Sequence, residues 1–173
     1  VYPALVPVAE IIARTDGVYN GISLTGSVVG TVVLTGRGAG QDPTSGSVIS
    51  DLVDVVKGIR GMNSYSKLIH VAPEECKLAQ AIEICGCYYL RLSVVDKPGQ
   101  LAKVAECLAE HEVSLATVSQ SPKGASASAN IILTTHETNE HSIAQAMKSL
   151  EQLGGVKEPP VLFRIFDPGP ASR

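Results

Sequence analysis

Glycines 36, 38 and 40 open the stretch of this 173-residue sequence best suited to chemistry on a phosphate or carboxylate, Gly36-Arg37-Gly38-Ala39-Gly40-Gln41-Asp42-Pro43-Thr44. The stretch follows a β-branched run and leads into an apolar-periodic segment. Unpaired backbone N–H groups and the positive end of a helix dipole at Thr44 to Ser47 could therefore face an anion. Gly-x-Gly-x-Gly lacks the third spacing of a dinucleotide fingerprint, so taken alone it reads equally as a tight turn. Arg37 is open in the same way, between phosphate partner and solvated surface residue. A second stretch, Asp96-Lys97-Pro98-Gly99-Gln100-Leu101, joins an alternating apolar run to another helical pattern. The cysteines Cys76, Cys85, Cys87 and Cys107 show no C-x-x-C spacing, and His70, His111, His136 and His141 are scattered, so no metal site is assigned. Reduced thiols in a cytoplasmic protein are expected, with Cys107 on the apolar side of a helix as a small hydrophobe.

The elements that must hold these stretches follow from periodicity. Tyr19 to Thr25 and Val29 to Thr35 read as a hairpin turning at Gly26-Ser27. After the glycine loop, Val48, Leu52, Val55, Val56 and Ile59 recur at helical spacing, with Pro43 suited to the first turn. A polar, irregular linker is placed at 61–85, with a short helix around Pro73 to Ile82. Beyond it, Leu90, Leu92 and Val94 alternate with Tyr89, Arg91 and Ser93 as a half-buried strand. A helix striped by Leu101, Val104, Ala105 and Leu108 comes next, then strands at Val113 to Gln120 and Ala127 to Thr135 around a Ser-Pro-Lys-Gly turn. A second helix carries Ile143, Met147, Leu150 and Leu153, capped by Thr138 or Asn139 and ended by Gly154-Gly155, and Val161 to Phe166 is the last strand. The order β-α-β-β-α-β predicts an α+β, ferredoxin-like antiparallel sheet with both helices on one face, preceded by the hairpin and helix.

Composition limits what such a chain does. Hydrophobic residues at 45% and charged residues at 18% predict a folded protein. A net charge of −3, 4% aromatics and no Trp argue against nucleic acid as partner. No apolar run approaches the roughly 20 residues that span a bilayer. The first residues carry no signal-peptide pattern, and Val1 in place of Met suggests numbering that begins partway through something longer.

The run Tyr88-Tyr89-Leu90-Arg91-Leu92-Ser93-Val94-Val95-Asp96-Lys97-Pro98-Gly99-Gln100-Leu101-Ala102, with Val113 to Gln120, resembles an ACT domain from about 86 to 168. Asn20-Gly21-Ile22, the glycine loop, Pro43-Thr44 and Ser47-Val48 ahead of Ser50-Asp51-Leu52 resemble the last segment of the homoserine dehydrogenase catalytic region over residues 1–60, leaving 169–173 as a tail. Ser45-Gly46 and Ala9-Glu10-Ile11-Ile12 depart from that family's usual residues.

The resemblance implies the regulatory C-terminal part of an enzyme interconverting L-homoserine and L-aspartate 4-semialdehyde with NADP or NAD. It implies cofactor contacts at Gly38, Ala39, Gly40 and Thr44. The family's proton-transferring lysine and amine-holding acids would precede Val1. Lys57 and Lys67 lie on a helix end and in the linker, so the chain alone is expected to be catalytically inactive, with no catalytic residues assigned.

The ACT resemblance implies an amino-acid effector, L-threonine, acting by feedback inhibition. Donors for its carboxylate would be the backbone N–H groups of Gly99, Gln100 and Leu101 beside Pro98, and the acceptor for its ammonium Asp96. Asp96 merely capping the helix is the competing reading. Gln120 and Asn130 would read a ligand hydroxyl from an adjoining strand, and exposed strand edges would pair copies into a homo-oligomer. The alternative is a non-catalytic ACT sensor or dimerisation module.

Overall fold

The computed structural model describes residues 2–61, 80–122 and 127–167. In chain order the strands and helices are β1 (Ala4–Leu5), β2 (Tyr19–Gly26), β3 (Gly30–Arg37), α1 (Gln41–Ile59), β4 (Cys85–Val95), α2 (Gln100–Glu110), β5 (Leu115–Pro122), β6 (Ser128–Thr135), β7 (Thr138–Asn139), α3 (Glu140–Glu151) and β8 (Val161–Ile165). They form two compact units, one of residues 2–7 with those described from 80 onward, the other of residues 8–61.

In the larger unit, alternation along β4 buries Leu90, Leu92 and Val94 on one face. Ala129, Ile131 and Leu133 of β6 share that face, and α2 (Val104, Cys107, Leu108) and α3 (Ile143, Ala146, Leu150) close over it to complete the core. The sheet order is β1-β8-β4-β6-β5, antiparallel except at the edge where β1 pairs with β8 in parallel. This is the expected βαββαβ arrangement with both helices on one face, widened by one short strand. Asn139 starts α3 by accepting a hydrogen bond from the Ser142 N–H on Oδ1 at 2.7 Å. Gly99, at φ +85, turns β4 into α2.

In the smaller unit β2 and β3 pair along their full length, from Tyr19↔Arg37 to Gly26↔Gly30. The loop is Ser27 to Val29, later than the expected Gly26-Ser27 turn, because Gly30 at φ +71 supplies the left-handed residue that closes a three-residue hairpin loop. Helix α1 matches its predicted stripe, yet no residue from 8 to 61 is buried. Most of the expected linker, including the start of the helix read around Pro73, lies outside the described residues. What is described of it after residue 79 holds a single 3₁₀ turn at Ala81–Glu83.

Candidate functional site

The glycine loop is built against β2. The Gly38 N–H donates to Val18 O at 2.9 Å, and a Cβ at Gly38 would overlap the amide of Asn20. Gly40 precedes α1 at φ +124, a conformation side chains rarely adopt. Two of the loop's glycines thus have local reasons to be glycine, whereas Gly36 has open space around it. Thr44 turns inward on the loop, its Oγ1 donating to Gly40 O at 2.8 Å. The N–H groups of Gln41 and Asp42 precede the first intrahelical bond, and Asp42 already sets a carboxylate in the first turn. The Arg37 guanidinium lies 5.9 Å from the centre of the Tyr19 ring.

At the second stretch, Asp96, Lys97, Pro98 and Gly99 are exposed. The Asp96 N–H donates to Ala127 O at 3.2 Å, tying the loop to the start of β6. No side chain caps α2, so the Asp96 carboxylate is not used as a helix cap. Gln100 instead turns into the protein, 9% exposed, with Oε1 unpartnered and packed where a Cβ on Gly155 would overlap it. Leu101 rests on the core. Gln120 and Asn130 do not converge: Gln120 opposes Ile131, on the helix-bearing side of the sheet, while Asn130 opposes Ser93 and Ser121 on the other.

Sequence reasoning missed one network, because its members are far apart in the chain. Tyr88 Oη donates to Glu140 Oε2 at 2.6 Å, Arg164 pairs with the same oxygen at 2.6 Å, and the Arg164 guanidinium stacks 3.9 Å from the Tyr2 ring centre. Burial, reinforced by the Glu140 hydrogen bond and charge, pushes the Tyr88 phenol well above its usual range. For Arg164, burial opposes the charge, but the Tyr2 hydrogen bond and Glu140 outweigh it and raise the pKa. These contacts bracket the β1–β8 pairing and line a cavity of about 260 Å³ with Cys85 and Cys87 on its wall.

Cys85, Cys87 and Cys107 are free thiols, and burial, with Glu110 nearby, raises the Cys107 pKa. Cys76 and His70 lie outside the described residues. His111 Nε2 lies 2.8 Å from Ser149 Oγ. Among the described residues no three His, Cys, Asp or Glu side chains gather as a metal site, and no helix is long and apolar enough to cross a membrane.

Residues 1–53 match the family model described as homoserine dehydrogenase, and residues 88–155 the model described as ACT domain. The homoserine dehydrogenase of Pseudomonas aeruginosa is 36% identical over 171 residues, a match covering 95% of this chain and 39% of that protein. That of Helicobacter pylori is 34% identical, covering 95% and 38%. The crystal structure of a homoserine dehydrogenase from Thiobacillus denitrificans superposes with a TM-score of 0.78 at 31% identity, over 97% of this chain and 38% of that one. The chain therefore spans a little under two fifths of the length of the curated relatives it matches.

Proposed function

We propose, from the premise that this chain belongs to the homoserine dehydrogenase family and joins a segment of it to an ACT domain, that it is the regulatory C-terminal part of a homoserine dehydrogenase. The observation that carries this is the order of the two segments in one chain, matched over 95% of its length by relatives of that name. The parent reaction would be the NAD(P)-dependent interconversion of L-homoserine and L-aspartate 4-semialdehyde in the cytoplasm.

The nicotinamide cofactor would supply the hydride-accepting and hydride-donating ring. What this chain offers it is the close backbone of Gly38, Ala39 and Gly40 and the free N–H groups at the start of α1, with Thr44 locking the turn. Asp42 in the first turn makes that helix end a better partner for a neutral part of the cofactor, an amide or a ribose hydroxyl, than for a phosphate.

L-threonine would bind at the α2 loop. The N–H groups of Gly99, Gln100 and Leu101 would hold its carboxylate beside Pro98, and Asp96, free of any capping duty, its ammonium. Gln120 extends from the same side of the sheet, whereas a role for Asn130 at that loop would need a second copy to bring it there. The outer strand β5 presents the edge on which two copies would pair. Inhibition would follow from unequal threonine affinity for two states of the assembly.

The test is calorimetric titration of the chain with L-threonine, with L-isoleucine and L-methionine as comparisons and Asp96→Ala as control. Saturable threonine binding that Asp96→Ala removes is the expected result. A folded chain that takes up no amino acid overturns the effector reading and leaves the family membership untouched.

A further inference from the structure

Helix α3 is fixed at its two ends by contacts that reach different parts of the chain. At its start the Glu140 N–H donates to Ile84 O at 3.0 Å, and one oxygen of the Glu140 carboxylate takes both the Tyr88 hydroxyl and the Arg164 guanidinium. Arg164 carries the contact on to the Tyr2 ring, and Phe166 donates its N–H to Leu5 O of β1 at 2.8 Å. At the other end, the turn that follows α3 is tied to β4, with the Val95 N–H donating to Gly155 O at 2.8 Å. Gly155, at φ +104, packs directly on the side chain of Gln100, the first residue of α2.

Between these ends the helix has little room to absorb a displacement. Ile143, Ala146 and Leu150 are fully buried against the sheet and α2, and a close-packed interior transmits strain rather than yielding to it. Twelve residues make a rod about 18 Å long, so one rigid element joins the Gln100 contact to the Glu140 network. The Gln100 end is the less settled of the two. Gln100 is 9% exposed, and its Oε1 has no hydrogen-bond partner among the described residues. An unmatched buried acceptor favours any nearby arrangement that supplies a donor, so this end has a reason to move.

We propose that α3 is a lever through which the packing of Gln100 on Gly155, beside the α2 loop, sets how firmly β1 is held on β8. Strand β1 belongs to the residues matched by the homoserine dehydrogenase model, so what loosens or tightens it reaches that segment directly, alongside the route through the linker. The lever is a property of the ACT unit alone. Its use by an effector rests on the regulatory reading above and makes Glu140 and Arg164 positioning residues for that response.

The test reads amide exchange residue by residue in the whole chain. Gln100→Ala, which empties the contact, and Gly155→Ala, which overfills it, are each expected to change the exchange rate of the Phe166 amide by about threefold or more, while amides in the middle of β4 and β6 keep their rates. In a Glu140→Gln background both changes should fall below about 1.5-fold, whereas a merely structural Glu140 would leave them in place, since effects at separated sites otherwise add. No change at Phe166 with either variant overturns the lever. So does a change that β4 and β6 share, or one that survives Glu140→Gln undiminished. The regulatory use is read separately, by adding L-threonine to the intact chain and to Glu140→Gln. A shift at Phe166 that Glu140→Gln removes supports it, and uptake of L-threonine with no shift at Phe166 overturns it. A chain that takes up no L-threonine overturns the effector reading, and the two substitutions still decide the lever.

Discussion

Leu52 and Leu108 lie on apolar stripes of the same periodicity in two helices, and they end in opposite environments. Leu108 is fully buried under α3 and the sheet, while Leu52 is 60% exposed on α1 together with Val48, Val55 and Ile59. The hairpin beside it in sequence repeats the pattern, with Ile22, Leu24 and Leu34 exposed. Periodicity defines an apolar face, but burial requires a second face to meet it. The ACT unit supplies both faces from its own chain. The segment from 8 to 61 carries the faces without a partner among the described residues. A two-stranded hairpin and a 19-residue helix are each marginal in water without tertiary packing.

The comparison is broken most directly by cutting both kinds of leucine. Leu108→Ala or Leu133→Ala removes a fully buried side chain and should lower the stability of the ACT unit by about 2–5 kcal/mol, read from the urea midpoint. Leu52→Ala and Leu24→Ala, in the same chain, should move that midpoint by no more than about 0.5 kcal/mol. Equal losses at the two sets of positions would mean that the first segment has a core of its own.

A smaller effect separates the two units by pH. The Tyr88 phenol is held neutral in the folded ACT unit, so its folded pKa lies above the unfolded value near 10. That contribution is complete below pH ~10 and is lost as the pH rises through that value toward the folded pKa, because the unfolded chain releases the proton first. The ACT transition should therefore weaken on the alkaline side. Tyr88→Phe should flatten this limb while costing about 1–2 kcal/mol at neutral pH through the lost bond to Glu140.

Much of the ACT unit was legible because its local signals agree with its tertiary structure. The alternation of β4, the stripes of α2 and α3, the Asn139 cap and the buried Cys107 can all be read within a dozen residues. The sites were less legible. Gln120 and Asn130 look like partners in sequence, but the pairing of Gln120 with Ile131 puts them on opposite faces, and register is a property of two strands rather than one. Gln100 reads as the first residue of a helix beside a ligand loop, and its packing on Gly155 depends on the turn that follows α3, far along the chain. Strand β1 left no trace, since two residues between Pro3 and Pro7 carry no period and pair with the far end of the chain.

Asn139 gives a next, smaller contrast, between the two long helices' starts. Asn139→Ala removes the bond to the Ser142 N–H and should cost the ACT unit about 1 kcal/mol, seen as a shift in its thermal midpoint. Helix α1 begins at Gly40 with no side-chain cap, so it has no capping residue whose truncation would produce a like shift.

The smallest expected effect tests where the boundary between the regions falls. Tyr2 belongs to the segment matched by the dehydrogenase family model, yet its ring stacks on Arg164, and Ala4 and Leu5 extend the ACT sheet beyond β8. Removing the ring in Tyr2→Ala should cost about 0.5–1 kcal/mol, the scale of a cation–π contact at a partly exposed site. The loss should show locally, as faster amide exchange at Phe166, whose N–H donates to Leu5 O at 2.8 Å, while β4 and β6 keep their protection. Faster exchange confined to Phe166 and its neighbours would fix β1 as a strap that ties the first segment to the last strand of the ACT sheet. Unchanged exchange there would show that β1 is held on β8 by backbone pairing alone, without help from the Tyr2 ring.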